Sequence, residues 1–121
     1  MDPSRKNVLK DRSYAFALRT IKLSEHLAAT RKEYVLSKQV LRSGTSIGAN
    51  VAEENQAQSR PDFVSKLSIA LKEATETDYW INLLRDSGYL RRREADLLLT
   101  DCTELVRLLT AIIRTTRKPR L

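Results

Sequence analysis

Only three glycines and three prolines punctuate the 121 residues, and almost everything about the fold follows from that scarcity. Antiparallel β folds turn often and spend Gly and Pro at the turns. A chain with so few breakers favours long, uninterrupted helices. Between the breakers the apolar residues recur at helical spacing in four stretches. The first runs from about Arg12 to Ala29, with Phe16, Ala17, Ile21, Leu27 and Ala28 on one face, Thr20 and Ser24 among them, and Asp11 as its N-cap. The second runs from about Tyr34 to Gln58. Leu36, Val40, Ile47 and Val51 make its apolar line, and Gly44, Gly48 and Ala52 make a line of small residues beside it. Each internal glycine costs a helix about 1 kcal/mol relative to alanine, so close packing against another helix is the expected compensation. The alternative is a helix broken at Ser43-Gly44-Thr45.

The third stretch carries the clearest punctuation. Ser59 is a good N-cap, Pro61 falls in the permissive first turn, Asp62 suits the positive helix end, and Gly88 stands where helices terminate. Phe63, Leu67, Ala70, Ala74, Ile81 and Leu84 form its apolar face. The fourth runs from near Arg92 to about Thr115. Leu98, Cys102, Leu105, Leu109 and Ile112 form one line, widened by Leu97, Leu108 and Ile113. Short links join the four stretches, which makes consecutive helices antiparallel neighbours. The expected fold is an all-α, antiparallel up-down-up-down four-helix bundle over residues 12–116. Residues 1–11 are expected as a flexible basic N-terminal tail, and 117–121 as a basic C-terminal tail.

Hydrophobic residues make up 41% and charged residues 31%, which excludes a disordered chain. No stretch reaches 18 apolar residues and no signal peptide opens the chain, so a cytoplasmic protein is expected, with no membrane partner. The net charge is +7. Residues 1–12 hold four bases and two acids, residues 114–121 hold four bases and no acid, and residues 13–113 hold 14 bases and 13 acids. The excess therefore sits at the two ends, a usual place for phosphate contacts.

A catalytic inventory is missing. His26 is the single histidine and falls on a polar face, Cys102 is the single cysteine and falls on a leucine-rich line, and Ser43 and Ser46 have no base nearby in sequence. A carboxylate di-metal site built around Glu73, Glu76 and Asp78 would need Glu-x-x-His pairs on two helices, which one histidine cannot supply. No enzyme activity, metal or cofactor is expected. The remaining polar features are of three kinds. Arg42, Ser46, Asn50 and Glu53 form a stripe on the second stretch that either pairs with Glu73 and Glu76, fixing the packing register, or forms a solvated face. Arg91-Arg92-Arg93 is a dense basic run at the helix end where cations are disfavoured. It is either a solvated helix start or, with Arg114, Arg117, Lys118 and Arg120, a phosphate-contacting set. Tyr79 and Trp80 flank the buried line of the third stretch and are candidate anchors of an oligomer interface.

Two long runs carry a family resemblance: Leu41-Arg42-Ser43-Gly44-Thr45-Ser46-Ile47-Gly48-Ala49-Asn50-Val51-Ala52-Glu53, and Lys66-Leu67-Ser68-Ile69-Ala70-Leu71-Lys72-Glu73-Ala74-Thr75-Glu76-Thr77-Asp78-Tyr79-Trp80. Gly88-Tyr89-Leu90 and Leu109-Thr110-Ala111-Ile112-Ile113 fit as well. From about Tyr14 to Thr116 the chain resembles the small four-helix-bundle proteins of 23S ribosomal RNA intervening sequences, relatives of the accessory proteins of diversity-generating retroelements. Glu54 and Arg91-Arg92-Arg93 depart from the common pattern. The resemblance implies a homopentameric ring without enzymatic activity. It suggests RNA or DNA as partner, with a protein client such as a polymerase as the alternative.

Overall fold

The structure, a computed structural model, describes residues 3–53 and 57–117. They form four helices in sequence order: α1, Pro3–Arg31; α2, Leu36–Glu53; α3, Arg60–Asp86; and α4, Arg92–Arg117. Consecutive helices pack closely, and α1 meets α4 across a looser seam. This is the expected antiparallel bundle.

Its core follows a strict alternation of three- and four-residue steps. The buried positions are Leu9, Ser13, Phe16, Thr20, Leu23 and Leu27 on α1, and Ser37, Val40, Gly44, Ile47 and Val51 on α2, with Ser43 beside them. On α3 they are Phe63, Leu67, Ala70, Ala74, Thr77, Ile81 and Leu84. On α4 they are Ala95, Leu98, Cys102, Leu105, Leu109 and Ile112, with Ile113 beside them. A mean step of 3.5 residues keeps one seam of each helix on the core when the helices wind gently around one another in a left-handed sense.

That repeat explains where the structure departs from expectation. Helix α1 starts at Pro3, not near Arg12, and residues 3–11 are its first turns rather than a tail. Leu9 is the reason: it lies four residues before Ser13 on the core line and is 2% exposed. On the same helix Ile21 is exposed and Leu23 is buried in its place, because the core line passes through Ser13 and Thr20. Leu97 and Ala52 likewise face outward. Lys118 and Arg120 lie outside the described residues.

Small and hydroxyl side chains on the core line allow α1 and α2 to approach closely. A Cβ built on Gly44 would fall 2.4 Å from Thr20 Cγ2, and one on Gly48 would fall 3.2 Å from the Ser13 carbonyl oxygen. Helix α2 is continuous through both glycines. The buried hydroxyls of Ser13, Thr20, Ser43 and Thr77 are satisfied. Ser13 Oγ donates to Lys10 O at 3.1 Å, and Thr20 Oγ1 donates to Ala17 O at 2.8 Å. Thr77 Oγ1 lies 2.7 Å from Glu73 O and 2.8 Å from Ser43 Oγ, joining α3 to α2. Such bonds remove the desolvation cost that would otherwise oppose a hydroxyl in the core.

The connections are equally determined by local chemistry. Lys32, at φ 56, takes the left-handed conformation that ends α1. The Glu33 carboxylate then accepts from Ser37 N at 2.9 Å and from Val35 N at 3.3 Å, capping α2. Ser59 caps α3 by accepting from Asp62 N at 3.2 Å. At the other end Gly88, at φ 86, closes a Schellman motif. Tyr89 N donates to Leu84 O at 2.9 Å and Gly88 N donates to Arg85 O at 3.1 Å. Arg31 clamps this turn from α1, donating to the Gly88 and Tyr89 carbonyls at 3.1 and 3.2 Å, with its guanidinium 5.2 Å from the Tyr89 ring centre.

Candidate nucleic-acid interface

The groups capable of chemistry are dispersed. His26 is exposed on α1. Cys102 is buried, and its Sγ donates to Ala74 O at 3.1 Å. Burial, with the Asp78 charge adding to it, pushes the thiol up to about 12, so it is neutral and inert at neutral pH. Among the described residues no three His, Cys, Asp or Glu side chains stand close enough together to hold a metal ion. No helix is long and apolar enough to cross a membrane among the residues described.

The polar stripe on α2 does reach α3. Arg42 bridges Glu73, at 3.2 Å, and Glu76, which in turn accepts from Trp80 Nε1 at 2.9 Å. The cluster lies at the surface, with Arg42 half exposed and Glu73 the more buried carboxylate. The rest of the stripe ties α2 to itself and to α3. Ser46 Oγ donates to Arg42 O at 2.7 Å, Asn50 Nδ2 donates to Ser46 O at 2.8 Å, and Glu53 pairs with Lys66 at 3.2 Å. Arg42 with Glu73 and Glu76, and Glu53 with Lys66, join α2 to α3.

Tyr79 and Trp80 sit on the outside of the same helix pair. Their rings meet edge to face at 5.1 Å; Tyr79 is exposed, whereas Trp80 is half-buried against the core. A second apolar surface lies elsewhere. Tyr14, Leu18 and Ile21 emerge from α1 at 68%, 50% and 37% exposure. Beside them a groove of about 420 Å3 runs between α1 and α2, lined by Tyr14, Ala17, Thr45, Gly48, Ala49 and Ala52 among others. Sequence periodicity assigned Ile21 and Ala52 inward and so missed this face. The signal was the absence of any charged residue from Ser43 to Ala52.

Among the described residues the candidate arginines are exposed, and the fold divides them. Arg91, Arg92 and Arg93 are all exposed at the start of α4, and Arg114 and Arg117 are exposed at its end. Twenty-two residues of helix, about 33 Å at 1.5 Å per residue, separate Arg92 from Arg114. The two sets therefore occupy opposite poles of the bundle. Among the described residues none of these five arginines forms an ion pair. The antiparallel course also brings the first turns of α1 to the pole where α4 ends. Arg5, Lys6, Lys10 and Arg60 thus join Arg114 and Arg117 there, a grouping invisible along the chain. Lys6 lies 5.2 Å above the Phe63 ring.

At the Arg91–Arg93 pole, acids are interleaved. Arg85 is paired with Asp86 at 2.9 Å and with Asp96 at 3.8 Å. The Arg85 hydrogen bond holds the Asp86 carboxyl below its usual range, and the Arg92 charge adds to the effect. The seam between α1 and α4 is bridged by two more pairs, Arg12 with Glu104 at 3.2 Å and Arg19 with Asp101, over a floor of Phe16 and Leu105.

Comparison with known proteins agrees with this architecture. The family model described as 23S rRNA-intervening sequence protein matches residues 5–111. A crystal structure of a protein with unknown function from the S23 ribosomal protein family of Bacteroides thetaiotaomicron shares 52% sequence identity and superposes with a TM-score of 0.90. The match covers 91% of this chain and 98% of that one. No curated protein matches the chain.

Proposed function

The chain belongs to the 23S rRNA-intervening sequence protein family, and from that premise we propose that it is a non-enzymatic, self-associating bundle that binds RNA or DNA in the cytoplasm without strong sequence preference. The observation that carries this reading is the set of exposed arginines, Arg91 to Arg93 with Arg114 and Arg117, that stand without ion pairs among the described residues. Guanidinium groups in that state release counterions from phosphates when they bind, a favourable term indifferent to base identity. The mostly apolar groove between α1 and α2, with Lys10 and Asp11 among its lining residues, supports self-association, since apolar contact there would bury Tyr14, Leu18 and Ile21. A ring of five copies, the state expected from the family resemblance, would repeat each weak phosphate contact and raise avidity. The same groove favours, as a second reading, a scaffold for a protein client such as a polymerase.

Fluorescence anisotropy with a labelled 20-nucleotide RNA and a 20-base-pair DNA tests the main reading. Binding is expected at about 50 mM salt, of similar strength for unrelated sequences, and falling steeply as salt rises. Absence of binding to either probe at that salt refutes it. Light scattering on the same sample reads the oligomer, with a mass well above one 13.9 kDa chain expected.

A further inference from the structure

Resting on that nucleic-acid reading, we infer that the main contact lies at the pole where α1 begins and α4 ends. There, a groove between the start of α3 and the end of α4 receives the sugar–phosphate backbone. The groove encloses about 540 Å3 and is lined by Arg60, Pro61, Val64, Ser65, Ser68 and Arg117, with Thr116 at its edge. Arg60 Nε donates to the Thr116 carbonyl at 2.6 Å, which orients the planar guanidinium on the groove wall. Arg117 stands exposed at the other side. Ser65 and Ser68, three residues apart on α3, present hydroxyls to the same groove, and neither makes a hydrogen bond among the described residues. Two guanidiniums and two hydroxyl donors around one groove suit the oxygens of a phosphodiester.

The charge around the groove points the same way. Counting the outer nine residues of each helix with the described joining segments, this pole has seven bases and three acids. The Arg91–Arg93 pole has eight bases and six acids. Two of the three acids at the terminal pole are engaged: Glu53 pairs with Lys66, and the Asp62 carboxylate accepts from Gln58 N at 3.2 Å. The excess is four positive charges here against two at the other pole, so a polyanion is steered to the terminal pole. The residues that line the groove also select among polyanions. Arg60, Pro61, Ser65 and Arg117 are its exposed members, with no aromatic ring or long aliphatic chain to enter a bilayer. No ring is present to stack on a base either, so contact is with backbone and serves single and double strands alike.

The test compares the full-length chain with three variants, using the same RNA and DNA probes from 50 to 300 mM salt. R60A/R117A removes both guanidiniums; S65D leaves them in place and adds a negative charge at an exposed helical position, covering the case where loss of the Arg60–Thr116 bond perturbs α4. R91A/R92A/R93A empties the other pole. Affinity for both probes is expected to fall at least tenfold in R60A/R117A and in S65D. The slope of log K against log salt should shrink by about 1.5 in the double variant, at roughly 0.7 to 0.9 per lost phosphate contact. The triple variant should lose less. Wild-type affinity and slope in R60A/R117A and S65D, with binding lost in the triple variant, overturn this site while leaving nucleic-acid binding intact. No binding by the wild-type chain fails the underlying reading itself. Preferential binding to vesicles of anionic lipid over both probes also overturns the assignment.

Discussion

Replacing Gly44 by alanine separates two opposed effects whose sizes can be worked from the structure. In an isolated helix the change is favourable by about 1 kcal/mol, because alanine loses less backbone entropy. Here the new methyl would lie 2.4 Å from Thr20 Cγ2 and 2.9 Å from both Thr20 Cβ and Oγ1. Thr20 is fully buried, its β-branched side chain has little rotamer freedom, and its hydroxyl is committed to Ala17 O. The Cβ cannot move without α1, so the two helices must separate. Overpacking of this kind costs 1–3 kcal/mol, and so close a contact belongs at the upper end. The net expectation is destabilisation by about 2 kcal/mol. For a chain of 121 residues, a melting entropy of roughly 250 cal/mol/K converts this to a Tm lower by about 8 °C. Thermal unfolding followed by circular dichroism measures it. The companion Gly48→Ala meets Ser13 alone, its carbonyl oxygen nearest at 3.2 Å, so the gain and the crowding should nearly cancel. In a Thr20→Ala background the cost of Gly44→Ala should shrink by at least 1 kcal/mol, because both γ atoms are gone. A Gly44→Ala protein as stable as wild type, or more so, refutes the argument that the glycine is there for helix approach.

Two further outcomes follow from single side chains. Arg42→Met leaves Glu73 and Glu76 facing each other without their shared cation and should lower Tm by about 4 °C, roughly 1 kcal/mol for partly exposed pairs; unchanged Tm and oligomer mass would show that the bridge fixes nothing. The folded state holds the Cys102 thiol neutral up to about pH 12 whereas an unfolded thiol ionises near 9, so its contribution is complete below pH 9 and falls, by up to about 1.4 kcal/mol per unit, as pH rises toward 12. Urea unfolding of wild type and Cys102→Ala between pH 8 and 11 should show a steeper decline in wild type, and parallel curves would contradict the burial argument.

The apolar faces of α3 and α4 were almost fully legible. Phe63, Leu67, Ala70, Ala74, Ile81 and Leu84 are all buried as their spacing implied, and Ser59, Pro61 and Gly88 mark the ends of α3 and its turn. Large aliphatic residues announce a core line by themselves. Helix α1 was misread because its line passes through Ser13 and Thr20, and hydrophobicity does not reveal a hydroxyl that will be satisfied by its own helix. The same substitution of polar for apolar residues on the line left Ile21 outside and concealed that Leu9 is core, which displaced the start of the helix to Arg12. In the candidate site, the exposure of Arg91 to Arg93 and the contact of Arg42 with Glu73 and Glu76 were readable from composition and spacing. The groove at Arg60 was not, since Arg60 and Arg117 are 57 positions apart.

By itself, then, the sequence determined that this chain is helical, where two of its four helices, α3 and α4, begin and end, and how much charge it carries, because breakers, periodicity and net charge are properties of neighbours along the chain. Only the tertiary structure decided which pole each charge occupies. Antiparallel packing sends Arg91 to Arg93 to one pole among six acids and gathers Arg5, Lys6, Lys10, Arg60, Arg114 and Arg117 at the other. The physical reason is that charges act through distance in space. The 3.5-residue core line sets which faces lock together, and that packing alone places residues from the two ends of the chain beside one another.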